Sequence, residues 1–146
     1  MTPTRRELSA CVWTIVALLM LSFVTVTAPS AANAKGPDDL LGKWSGSIVV
    51  DGRPIAINLA VQSMKLGEDG AQFHYGVPRS CNLVAEYSGE IENAQFFSFK
   101  SANGGFCDRL IDGLMTLRLN DQETLSFDVR SQKKTVEEKG TLKKGD

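Results

Sequence analysis

From Lys43 to the C-terminus, apolar and polar residues alternate with a period of two, broken by turn residues at roughly eight- to twelve-residue intervals. This pattern predicts strands over Lys43–Val50, Pro54–Met64, Ala71–Val77, Cys81–Tyr87 and Gln95–Ser101. Three more follow around Met115–Leu119, Leu125–Val129 and Val136–Leu142. The apolar positions Ile55, Ile57, Leu59 and Val61 share one face of the second strand. Phe73 and Tyr75 share one face of the third, with His74 opposite, and Phe97 and Phe99 share one face of the fifth, with Phe96 opposite. Asp51-Gly52 is a tight hairpin signal, because a type I′ turn needs two positive φ values. Gly67–Gly70, Ser88-Gly89, Asn103–Gly105 and Asn120-Asp121 read as the other turns.

Long helical periodicity is absent; only Asp38–Gly42 reads as a short capped helical turn. The expected fold class is therefore all-β, an antiparallel meander of about eight strands closing into a small barrel, with a β-sandwich as the alternative. Closure is favoured because it removes the two edges that an open meander would expose.

The first strand opens with Leu41-Gly42-Lys43-Trp44-Ser45-Gly46, a G-x-W after a helical turn. This opening resembles that of lipocalin-like and avidin-like barrels, and the resemblance implies that Trp44 plugs the closed end. The same residues, read as W-x-G and taken with Tyr75–Cys81, Cys107 and Gly140-Thr141-Leu142, resemble small exported bacterial domains that hold one cysteine pair.

The N-terminal segment carries a different pattern. Arg5 and Arg6 precede an uncharged, almost wholly apolar run from Cys11 to Ala28, followed by Pro29-Ser30 and the small-residue site Ala32-Asn33-Ala34. Residues 1–34 read as a cleavable signal peptide, residues 35–146 as a single β-barrel domain. Leu8–Cys11 is not a lipoprotein box, because it begins the apolar run instead of closing it. Thr4–Leu8 has twin-arginine character, but the strongly apolar core favours the general secretory route. The expected location is periplasmic or secreted, with no membrane span after processing.

Acidic and basic side chains nearly balance, 17 against 16, and no basic stripe points to nucleic acid. Cys81 and Cys107 remain after processing, in a compartment where thiols oxidise, and are expected to form a disulfide. The single histidine and two bridged cysteines cannot supply the three or four ligands of a zinc site. His74 faces solvent, and the adjacent pairs Asp38-Asp39 and Glu137-Glu138 read as capping or solubilising charges. No catalytic group, metal site or cofactor motif is found, so the chain is read as non-enzymatic and free of cofactors.

The expected bridge would join two glycine-bearing segments. The edge they form, Tyr75, Pro78, Arg79, Phe106, Asp108 and Arg109, concentrates residue types found in interface hot spots. These residues are the candidate partner-binding edge, with both arginines expected in solvent. The functional expectation is an exported protein that binds or inhibits another protein of the cell envelope, as an inhibitor or immunity-type protein does. The alternative is a carrier of a small apolar ligand in a barrel cavity.

Overall fold

The computed structural model describes residues 36–145. Residues 1–34, read above as a cleavable signal peptide, lie outside the described residues.

A 3₁₀ turn at Pro37–Leu40 leads into eight strands: β1 (Gly42–Val50), β2 (Arg53–Val61), β3 (Asp69–Tyr75), β4 (Cys81–Ile91), β5 (Ala94–Ala102), β6 (Leu114–Leu119), β7 (Thr124–Arg130) and β8 (Glu137–Lys144). All neighbours pair antiparallel in sequence order. β1 also pairs with β8, so the sheet closes into a barrel. The alternation is what permits closure, because each strand has one apolar face to bury inside. The sandwich alternative is set aside by the β1–β8 ladder, through which Trp44, Ser45 and Gly46 pair with Lys144, Lys143 and Leu142.

Two differences from the sequence expectation have local causes. β4 does not stop at Ser88-Gly89; it passes through a bulge there, with Gly89 at φ 121°, and runs on to Ile91. The turn comes at Glu92 and Asn93, both at positive φ. The bulge adds the curvature that a small barrel needs. The second difference is a 3₁₀ segment, Gly105–Leu110, between β5 and β6, where composition alone suggested only a turn. Its Cys107 and Leu110 are fully buried, so packing rather than periodicity holds it in place.

The barrel centre is filled by aromatic rings. Phe73 of β3 and Phe127 of β7 come from opposite walls, yet their ring centroids are 5.4 Å apart. Phe73 also meets the edges of Phe99 and Tyr75. The close approach at this layer depends on Gly140 of β8, where a Cβ would sit 2.7 Å from the Phe127 ring and 2.9 Å from Ile48. An eight-stranded barrel has an interior just wide enough for side chains, and here they meet across it.

Antiparallel order places the first strand's start and the chain's end at one end of the barrel. At the other lie the β1–β2 hairpin, the β3–β4 loop, the 3₁₀ segment and the β7–β8 turn. Trp44 serves the first end. It is 1% exposed, its Nε1 donates to the Leu40 carbonyl at 2.8 Å, and the Lys144 ammonium lies 5.3 Å from the ring centroid. The tryptophan end is thus closed by an indole whose one polar atom is satisfied.

Candidate binding site at the braced end

The opposite end is built around the expected disulfide. Cys81, at the start of β4, is bonded to Cys107 in the 3₁₀ segment, with Cα atoms 5.9 Å apart. The bond ties the β3–β4 loop to the β5–β6 connection, as the sequence suggested.

Tyr75, the last residue of β3, alternates inward with Phe73 and is fully buried. Its hydroxyl donates to Glu138 Oε2 at 2.7 Å. Arg79, four residues on, donates to the same carboxylate through both terminal nitrogens, at 2.8 and 2.6 Å. Its guanidinium lies 3.6 Å from the centroid of the Phe106 ring, which meets Tyr75 edge-on at 5.4 Å. The arginine and glutamate side chains are only 12% and 11% exposed. Burial first, and then the Glu138 charge and its hydrogen bond, push the Tyr75 hydroxyl far above its ordinary range.

Three corrections follow for the sequence-based edge. Tyr75 lies inside the barrel, not on its rim. Arg79 is not a solvent charge; its guanidinium is consumed by Glu138 and stacked on Phe106. Glu138 is not a solubilising charge, although its neighbour Glu137 is exposed. Alternation could have found Glu138, because Val136, Gly140 and Leu142 mark the inward positions and 138 falls between them. Phe106 is half-buried, while Pro78, Asp108 and Arg109 are exposed as expected. Arg109 stands 5.6 Å from the Phe106 centroid. His74 lies on the outer face, its Nδ1 2.7 Å from Asn82 Oδ1.

The tip of the β3–β4 loop is exposed at this end. Val77 is 77% exposed, and Pro78 is exposed beside it. The base beneath is held on all sides: Gly76 N–H donates to the Ala56 carbonyl at 2.8 Å, and Arg79 and Ser80 N–H both donate to Gly76 O at 3.0 Å. A cleft of about 440 Å³ separates this loop from the β1–β2 hairpin, lined by Val50, Asp51, Arg53, Ile55, Pro78 and Arg79. Among the described residues, no group of three or more His, Cys, Asp or Glu gathers to hold a metal, and no helix is long and apolar enough to cross a membrane.

No protein-family model, curated protein or solved structure matches the chain. The eight-stranded antiparallel barrel is consistent with the lipocalin-like architecture that the G-x-W opening implies, and that agreement concerns the fold alone.

Proposed function

We propose that the protein is an exported, non-enzymatic binding protein that presents the β3–β4 loop to a protein partner in the cell envelope, in the manner of an inhibitor or immunity protein. One observation carries this reading: an exposed apolar tip, Val77-Pro78, stands on an immobilised base. Tyr75 and Arg79 are locked on Glu138 and Cys81 is bonded to Cys107 on either side of the tip. A loop already held in one shape loses little entropy on binding, which is how small rigid binders gain affinity. The adjoining cleft, with Asp51 and Arg53 at its rim, can receive a partner side chain of either charge.

Export is part of the same proposal. The leader-like segment, the W-x-G likeness and the Cys81–Cys107 bond all favour an oxidising compartment. Tyr75, Arg79 and Glu138 satisfy one another, which favours bracing over catalysis. A carrier function has less support, since Phe73, Phe99 and Phe127 occupy the barrel centre.

The test is affinity capture from the native envelope with wild type and Val77→Asp in parallel. The reading requires one partner to be retained by wild type and weakened at least tenfold by the substitution, with the thermal midpoint unchanged. Equal retention by both proteins would remove the loop from the interface.

A further inference from the structure

A second surface lies on the outer wall of β5–β8, away from the braced loop. Pairing aligns outward residues of these four strands in rows. Phe96, Thr116, Asp128 and Lys139 form one row. Leu114 pairs with Arg130 on one side of it, and Arg118 with Ser126 on the other. Small side chains in the middle, Thr116, Ser126 and Thr141, are surrounded by long ones. The difference in length leaves a groove of about 640 Å³, within the usual range for small-molecule sites.

The walls of this groove differ. Its apolar groups lie on the β5–β6 side, with Phe96 half-buried and Leu114 37% exposed. Its charged groups are three cations and one carboxylate: Arg118, Arg130, Lys139 and Asp128. Asp128 is already held by Arg130 at 3.0 Å and by Lys139 at 3.1 Å, and Arg130 also meets Glu137. Arg118 has no carboxylate partner among the described residues. Because β5–β8 pair with one another in series, an incoming strand finds no free edge at the groove centre, and a ligand must be held by side chains.

We infer that this groove binds a monomeric amphipathic anion, its carboxylate or sulfonate on Arg118 and its apolar chain laid along β6 over Thr116 to Leu114 and Phe96. Outward positions 114 and 118 on one strand are about 13 Å apart, about the length of an extended ten-carbon chain. The arginine supplies a charge that no carboxylate among the described residues pairs with, and a guanidinium suits a planar carboxylate in two-point contact. A cationic head would meet three like charges and one carboxylate already engaged.

Decanoate and decyltrimethylammonium, which share a tail and differ in head charge, separate this reading from simple hydrophobic adsorption. Each is titrated below its micelle concentration into the purified protein, with backbone amide shifts recorded by NMR. Decanoate should saturate, with shifts confined to β5–β8, and the ammonium should bind at least tenfold more weakly. Arg118→Glu should weaken decanoate at least tenfold, and Leu114→Ser should weaken it several-fold with the thermal midpoint retained. Equal binding of the two heads, indifference to Arg118→Glu, or shifts centred elsewhere would overturn the site. Binding to phosphatidylglycerol vesicles without any response to monomeric decanoate would overturn it too, by reassigning the surface to membranes.

Discussion

The two ends of the barrel are closed by opposite chemistry. The tryptophan end uses one large neutral side chain, whose single donor is satisfied by the Leu40 carbonyl. The braced end uses an ion pair, a tyrosine and a phenylalanine, drawn from the β3–β4 loop, the 3₁₀ segment and β8. The neutral seal draws its stability from burial, which depends little on pH or salt. The charged seal carries the cost of taking a guanidinium and a carboxylate out of water, so its net contribution to stability is small even though each partner depends strongly on the other. Its gain is positional: two lone pairs and two N–H groups set where the loop base sits, which burial alone does not do.

That contrast predicts different responses to truncation. Trp44→Ala should destabilise by about 3–5 kcal/mol, the range for large buried aromatics, read by denaturant unfolding. Glu138→Leu should cost about 3 kcal/mol, because it leaves the Arg79 charge buried and alone. The double change Arg79→Met with Glu138→Leu should recover much of that loss, since no charge is then stranded and only the Tyr75 hydroxyl is left without its acceptor. No second substitution should rescue Trp44→Ala in this way, because the loss there is a cavity and one neutral hydrogen bond, not a stranded charge. If the double variant is as unstable as Glu138→Leu alone, the ion pair is a source of stability and the contrast between the ends collapses.

The barrel itself was legible in the sequence because burial on one face imposes a period of two, which survives in every strand. The braced end was only partly legible. Cys81 and Cys107 announced that two segments meet, and the alternation of Phe73 with Tyr75 pointed inward. The decisive contact joins Arg79 to Glu138, 59 residues apart, and no local spacing encodes it. Glu138 occupies an inward position by alternation, but a carboxylate in a charged run reads as a surface group unless its partner is known. Ser88-Gly89 carried turn composition while serving as a bulge, because a glycine at positive φ suits either role. The outer groove had no sequence signal at all, since it arises from side-chain lengths compared across four strands in register.

Alkaline pH offers a sharper comparison, with an effect of intermediate size. The Tyr75 hydroxyl is raised by burial and by Glu138 in the folded protein, whereas in the unfolded chain it titrates near the ordinary value of about 10. Its contribution is therefore fully present below about pH 10 and is lost as pH rises above it, by up to about 1.4 kcal/mol per pH unit. Tyr87, whose hydroxyl is also raised by burial and by Glu90, adds to the same slope. Tyr75→Phe should flatten the loss of stability between pH 10 and 11 and leave only the part that Tyr87 contributes. A tryptophan-end variant such as Trp44→Phe should lower stability while leaving that slope unchanged. An identical alkaline slope in Tyr75→Phe and wild type would mean that the hydroxyl is not held against Glu138.

The smallest effect expected separates the two arginines of the braced end. Both guanidiniums face Phe106, Arg79 at 3.6 Å and Arg109 at 5.6 Å from the centroid. Arg79 is desolvated and paired, while Arg109 is exposed, and among the described residues it has no carboxylate partner. An exposed cation over a ring contributes about 0.5–1 kcal/mol at most, and water competes for it. Arg109→Glu should therefore change stability by no more than about 0.5 kcal/mol, where Arg79→Glu places two carboxylates together in a buried site and should unfold the loop base or the whole domain. Amide hydrogen exchange distinguishes these outcomes. In Arg109→Glu the amides of Arg79 and Ser80, bonded to Gly76, should keep their wild-type protection. Loss of that protection on changing Arg109 alone would show that the exposed arginine is part of the seal, and that the loop tip stands on a wider base than Tyr75, Arg79 and Glu138.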